Sequence, residues 1–223
     1  MLAGSGVMIN WSDVAPEHRM AYYEWHCREH MLGRVAIHGF IRGRRYLSIQ
    51  AKRDFLIIYE VKDLTVLTGQ DYLAKANRPS ALTQRTTPVI KNSIRGLCQV
   101  KASFGIGVGG YAMTLRFEPH PGAETQWEQY LKNKAWPQIA ENPEIMGAHW
   151  LQADTAASRE VPVERQGRPT VIPNGVVVLE GVSRLALENA ATQWFSESVL
   201  VAQGCSSVSE TELYALQIMV NAP

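Results

Sequence analysis

The sequence predicts an α+β fold built from two tandem βαββαβ units. Three observations predict it. Runs with strand-like alternation and runs with helical period follow one another in the order βαββαβ, that order occurs twice in 223 residues, and the halves carry opposite charge. Up to Gly109 there are 15 Lys+Arg and 8 Asp+Glu; beyond it there are 7 and 13. Such a split holds two halves together or builds a positive pocket for an anionic ligand in the first. With 46% hydrophobic and 19% charged residues the chain is neither disordered nor fibrous.

The elements follow in order. Residues 6–12 read as a strand, and 16–32 as a helix with Pro16 in its first turn and Asp13 as a candidate N-cap. FIRGRRYLSI (40–49) and DFLIIYEV (54–61) read as a strand pair with a turn at 51–53. A helical stretch at 63–76 stops before Asn77-Arg78-Pro79, a short piece covers 80–92, and a strand follows at 94–104. The second half repeats the plan with strands at 111–118, 145–154, 175–182 and 211–220 and helices at 124–140 and 185–198. Setting Phe40 on Ile145 places Arg44 on His149, Arg45 on Trp150, His26 on Leu131 and His30 on Ala135, so the second helix is apolar where the first is ionisable. Between the halves, GIGVGG (105–110) has the look of a nucleotide loop, but no helix opens after it, which leaves a flexible joint as the reading.

Chemistry concentrates on the first helix. At 100° per residue Met20, Tyr23, His26, Cys27, His30 and Met31 share one arc, so both histidines turn toward the sheet. An inward histidine is commonly a core residue; two imidazoles one turn apart need partners or a wet pocket. The same residues spell H-x-x-E-H, a zinc-peptidase arrangement, yet a third ligand is not marked and no metal is expected. By alternation Arg42, Arg44 and Tyr46 share a strand face with Phe40, as a solvated edge or as a clamp for a carboxylate or enolate. Tyr59 lies with Phe55 and Ile57, as a core or pocket residue. Cys27, Cys98 and Cys205 have no CxxC spacing and fit a reducing compartment.

The run Trp25-His26-x-x-Glu29-His30-Met31-x-x-Arg34-Val35-x-Ile37-x-Gly39-Phe40-x-Arg42-Gly43-x-Arg45-Tyr46, followed by Leu56-x-x-Tyr59-Glu60, resembles the dimeric α/β-barrel superfamily. More narrowly it is similar to tandem-repeat bacterial members of EthD-like and muconolactone-isomerase-like type, with Gly33 in place of an acidic residue and His38 in place of a proline. The likeness covers most of residues 7–107, and 110–223 by plan only. It implies ferredoxin-like units paired within one chain into an intramolecular dimeric α/β barrel. Superfamily members include isomerases, cofactor-free monooxygenases of aromatic compounds, haem-dependent enzymes and proteins with no known reaction. The helix histidine of the EthD-like proteins carries over to His30.

The expectation is two domains, 1–107 carrying the site and 108–223 diverged. The function expected first is a cofactor-independent isomerase or lyase acting on a small apolar metabolite of aromatic catabolism, with anionic character left open. In it His30 abstracts or delivers a proton with His26 as its partner, Arg44 or Arg42 holds a developing enolate or carboxylate, and Tyr23, Arg42, Arg44 and Tyr59 form the substrate-binding set. The alternatives are a cofactor-free monooxygenase of an aromatic substrate and a non-catalytic ligand-binding or stress protein. No cofactor, nucleic acid or membrane partner is expected; pairing of two chains stays open, and the location expected is cytoplasmic.

Overall fold

The computed structural model describes residues 2–206, 208 and 210–223. Nine strands are present among them: β1 Gly6–Val14, β2 Phe40–Gln50, β3 Phe55–Val61, β4 Ile90–Gly105, β5 Tyr111–Phe117, β6 Ile145–Ala153, β7 Thr170–Val171, β8 Gly175–Gly181 and β9 Glu210–Asn221. They hydrogen-bond in the order β1-β3-β2-β9-β5-β8-β6-β4, and β4 pairs again with β1, so eight antiparallel strands close a barrel; β7 pairs in parallel with Ser93 and Ile94 near the start of β4. Within the first half the order is β4-β1-β3-β2, and within the second it is β9-β5-β8-β6.

Closure explains the composition of the strands. β3 (FLIIYEV) and β8 (GVVVLEG) are buried at every position, because one face looks into the barrel and the other is covered by helices. The interior draws apolar side chains from all eight strands, among them Val7, Ile9, Trp11, Tyr46, Leu56, Cys98, Ala112, Leu151, Val178 and Tyr214. Outside the sheet each half has its own core. Met8, Tyr22, Phe40, Phe55, Ile57 and Tyr59 belong to the first; Trp127, Trp136, Trp150, Leu179 and Phe195 belong to the second.

The halves keep step. Gly6 and Tyr111, His26 and Leu131, and Phe40 and Ile145 each begin matching elements 105 residues apart, whereas Phe55 and Gly175, and Ile90 and Glu210, are 120 apart. The change of step lies in the connection 154–174, which replaces the short hairpin 51–54. It lies on β4 of the first half: Asp154 N–H donates to Leu97 O (2.8 Å), Leu97 N–H to Ser158 Oγ (2.9 Å), and Val163 N–H to Asn77 Oδ1 (3.0 Å).

Some sequence expectations change. Asp13 sits inside β1 and its Oδ1 accepts from Asp54 N–H (2.9 Å) instead of capping the first helix. The stretch 185–198 divides into helices Arg184–Trp194 and Glu197–Ala202. GIGVGG is the joint between β4 and β5, and Gly109 is required there because a Cβ would lie 2.1 Å from Gly181 O. No helix among the described residues is long and apolar enough to cross a membrane.

Candidate functional site

The first helix runs as Arg19–Trp25, a π-helical turn His26–His30 and Met31–Val35. Residues spaced by four drift around an ordinary 3.6-residue helix; an i→i+5 turn takes up the surplus and keeps them in line. Tyr22, His26, His30 and Arg34 thereby line one cavity. This corrects the arc drawn for a regular helix: Tyr22 faces the cavity, while Tyr23 lies under the Arg45 guanidinium (4.7 Å) and Met20 is exposed.

The opposite wall comes from the sheet, with Asn10, Ile57, Tyr59 and Arg95, and the third side from the long connection, with Glu164, Arg165 and Arg168. Gly43 supports this wall, since a Cβ there would lie 2.7 Å from the Tyr59 ring. The centre of a water molecule can move through about 60 Å3, space for a small molecule. A surface hollow that shares His30, Arg34 and Glu164 and adds Lys75 and Arg78 lies beside it. Asn10 Oδ1, the Tyr59 hydroxyl, Arg95 Nε and Arg168 Nε are buried without a hydrogen-bond partner.

Charge sets the protonation states. Arg45 Nη1 lies 3.3 Å from His26 Nδ1, and because a guanidinium only donates, Nδ1 accepts and the neutral ring carries its proton on Nε2. Burial, reinforced by Arg45, pushes His26 down to about 3. Burial and then the charge of Arg34 hold His30 well below the usual histidine range, with His26, Arg168 and Arg165 acting in the same direction. Both rings are therefore neutral at pH 7, 5.7 Å apart, with the Trp25 ring 4.3 Å from that of His30. Burial lowers Arg34, but the ion pair with Glu164 outweighs it; Arg165 falls to about 9 because burial, Arg95 and Arg168 outweigh the opposing influence of Tyr72 and Glu164. Burial raises the Tyr59 hydroxyl.

Arg42 and Arg44 are not in this lining. A register shift between Phe40 and Arg42 turns Phe40 to the helix side, against Tyr59 and Tyr72, and turns Arg44 into the barrel. There Arg44 pairs with Glu60 (2.9 Å) and with Glu180, and donates to the Tyr46 hydroxyl (2.7 Å); Arg42 also pairs with Glu60 (2.5 Å). His149 joins Glu180 (3.2 Å) to Ser103 (2.8 Å). Burial would raise the Glu180 carboxyl, but Arg44 and His149 outweigh it and hold it at about 2. Of the six residues singled out by sequence, His26, His30 and Tyr59 meet in the cavity, and Tyr23, Arg42 and Arg44 do not. Arg95, Arg165 and Arg168 escape the sequence reading; the length of the segment between β6 and β8 is a signal for Arg165 and Arg168, and Arg95, on β4, has none.

The second half acts as an internal control. At the same steps it carries Trp127, Leu131, Ala135 and Ile139 for Tyr22, His26, His30 and Arg34, and Leu179 for Tyr59, all in its apolar core. The fold thus accepts a solid apolar filling at this position, and the first half keeps polar groups there against the cost of burying them.

Neither a metal nor a haem fits the lining as it stands. Glu29 of H-x-x-E-H turns away to accept from Ser80 (2.5 Å) and Thr83 (3.0 Å), and among the described residues no three His, Cys, Asp or Glu side chains converge. The free space is too small for a macrocycle, and His26 already spends Nδ1 on Arg45.

No family model matches the chain, and no curated protein does. Solved structures do. An anthrone oxidase-like protein aligns with a TM-score of 0.64 at 11% identity, over 97% of this chain and 92% of that one. A ferredoxin-fold protein from Listeria monocytogenes, related to antibiotic biosynthesis monooxygenases, aligns at 0.53 and 8% identity over 97% of both chains. A haem-binding protein from Thermus thermophilus aligns at 0.55 and 12% identity, over 96% and 92%. The isomerase or lyase chemistry expected first is corrected here, because these neighbours are named for oxidase, monooxygenase and haem-binding roles. At such identities the likeness shows the fold, an α+β barrel of eight antiparallel strands shared with ferredoxin-fold proteins.

Proposed function

We propose that the first-half cavity is the working site of an enzyme that brings an electron-rich organic substrate to molecular oxygen without a cofactor. The observation that carries this reading is the pair of neutral histidines in an arginine-lined cavity whose counterpart in the second half is filled with apolar side chains. The names of the fold neighbours support oxygen chemistry over isomerisation. The matching order of elements in the halves, at a step of 105 residues that becomes 120 after the long connection, supports a chain of two tandem units, 1–107 and 108–223, of which the first keeps the site.

In this account His30 takes a proton from a methylene group next to a carbonyl, and the arginines stabilise the enolate. His26 donates from Nε2 to the substrate and holds its orientation. The carbanion passes electrons to O2 and forms a C–O bond, giving a hydroperoxide once His30 returns the proton. Loss of the remaining C–H proton breaks the O–O bond and expels water. In balance, one methylene group and one molecule of oxygen give one ketone carbonyl and one water, a four-electron oxidation matched by four-electron reduction of oxygen. Oxygen-electrode assays over a panel of activated methylene and phenolic compounds test the reading. One O2 consumed per product formed supports it; conversion without oxygen uptake overturns it.

A further inference from the structure

We propose that Arg95, Arg165 and Arg168 form an anion subsite in this cavity that selects substrates carrying a doubly charged oxyanion group, a phosphate or a pair of carboxylates. The inference rests on the function proposed above for the same cavity. Four guanidinium groups line it against one carboxylate, Glu164, which is already paired with Arg34. Among the described residues no carboxylate oxygen lies within 4.0 Å of the nitrogens of Arg95, Arg165 or Arg168. Their hydrogen bonds go to neutral acceptors: Arg95 Nη2 donates to the Tyr72 hydroxyl (3.1 Å), Arg165 Nη2 to Thr170 Oγ1 (3.0 Å) and Arg168 Nη2 to Glu164 O (2.9 Å).

Arg95 is 3% exposed, and its Nε, like Arg168 Nε and the Tyr59 hydroxyl, is a buried donor with no acceptor. Buried donors of this kind cost free energy unless an acceptor meets them, and guanidinium forks meet planar or tetrahedral oxyanions with two parallel bonds. The mutual repulsion that, after burial, lowers Arg165 is offset by an anion among them. The adjoining hollow carries Lys75 and Arg78 beside Arg34, against Glu29 and Glu164, so cations still outnumber carboxylates on its lining. Arg165 and Arg168 belong to the long connection that replaces the hairpin 51–54, so this segment of the second half sets the substrate class for the site in the first.

Isothermal titration of the full chain with inorganic phosphate, malonate and acetate at fixed ionic strength tests this. The expected result is that phosphate or malonate binds at least about tenfold more tightly than acetate, and that Arg165→Gln and Arg168→Gln each weaken that binding by about tenfold or more. The same variants should keep or raise the Tm of the free protein, because each removes a like charge; a merely structural role would lower it. Tight phosphate with weak malonate identifies a phosphorylated substrate, and the reverse a dicarboxylate. Equal binding of all three anions, no binding, or variants that bind as the parent does overturn the inference. Oxygen uptake on a neutral substrate without anion binding overturns the subsite alone; anion binding with turnover that needs no oxygen overturns the proposed reaction alone.

Discussion

Arg34 and Glu164 form an ion pair across 130 residues of sequence, joining the helix of the first half to the long connection of the second where the cavity and the surface hollow share their lining. Both side chains are buried, so removing one partner leaves the other charged and uncompensated. Glu164→Gln is expected to cost about 3 kcal/mol in urea unfolding, on the scale of broken buried pairs, and saturating phosphate should recover more stability in this variant than in the parent. A variant as stable as the parent would mean that the pair does not close the site.

Acid sensitivity follows from His26. Its folded value of about 3 lies below that of an unfolded histidine, so the unfolded chain binds more protons between those two values. The stability due to its neutral burial is complete above about pH 6.5 and is lost as pH falls from there toward 3, at up to about 1.4 kcal/mol per pH unit. His26→Leu, the residue carried by the second half at this step, should flatten the dependence between about pH 6 and 5 by about that slope. That window lies above the range in which carboxylates such as Glu180, held at about 2, begin to contribute. Urea midpoints measured at several pH values decide it.

The ion network inside the barrel makes a separate prediction for Arg44. Arg44→Met leaves Glu60 and Glu180 facing each other without their shared cation, and unfolding free energy should drop by about 3–5 kcal/mol. Phosphate affinity of the folded fraction should stay within about twofold of the parent, because Arg44 does not line the cavity. A large loss of affinity with unchanged stability would return Arg44 to the site.

His30 carries the chemical step in this account. His30→Ala should lower turnover at least about a hundredfold while phosphate still binds, since the arginines are untouched. Because the free His30 is neutral, kcat/KM of the parent should show no acid-side inflection near about pH 6.5; the limb should lie lower. An inflection at the ordinary histidine value would contradict the electrostatics described for the cavity.

Much of the fold is legible in the sequence because periodicity and turn residues report local structure. Phe40 on Ile145 is the correct step for the first three elements, and His26 and His30 lie on the sheet side of their helix as the periodicity predicts. The faces of β2 are not legible. A bulge between Phe40 and Arg42 reverses the alternation, so Arg44 enters the barrel while the strand pattern keeps it with Phe40. The π turn likewise moves the lining from Tyr23 to Tyr22, because no residue type announces an i→i+5 bond. Arg95, Arg165 and Arg168 come from β4 and from a connection far along the chain, and only closure of the barrel brings them to the histidines.

The central claim is that His30 in the first-half cavity directs oxygen onto a bound substrate. Isotope labelling tests it most directly: turnover of an accepted substrate under 18O2, with parent and His30→Ala compared, followed by mass analysis of the product. The account predicts one 18O atom per product molecule in the parent, the other appearing in water, and product formation falling at least about a hundredfold in the variant. Unlabelled product, its oxygen drawn from water instead of 18O2, or labelled product formed equally well by His30→Ala, would contradict it.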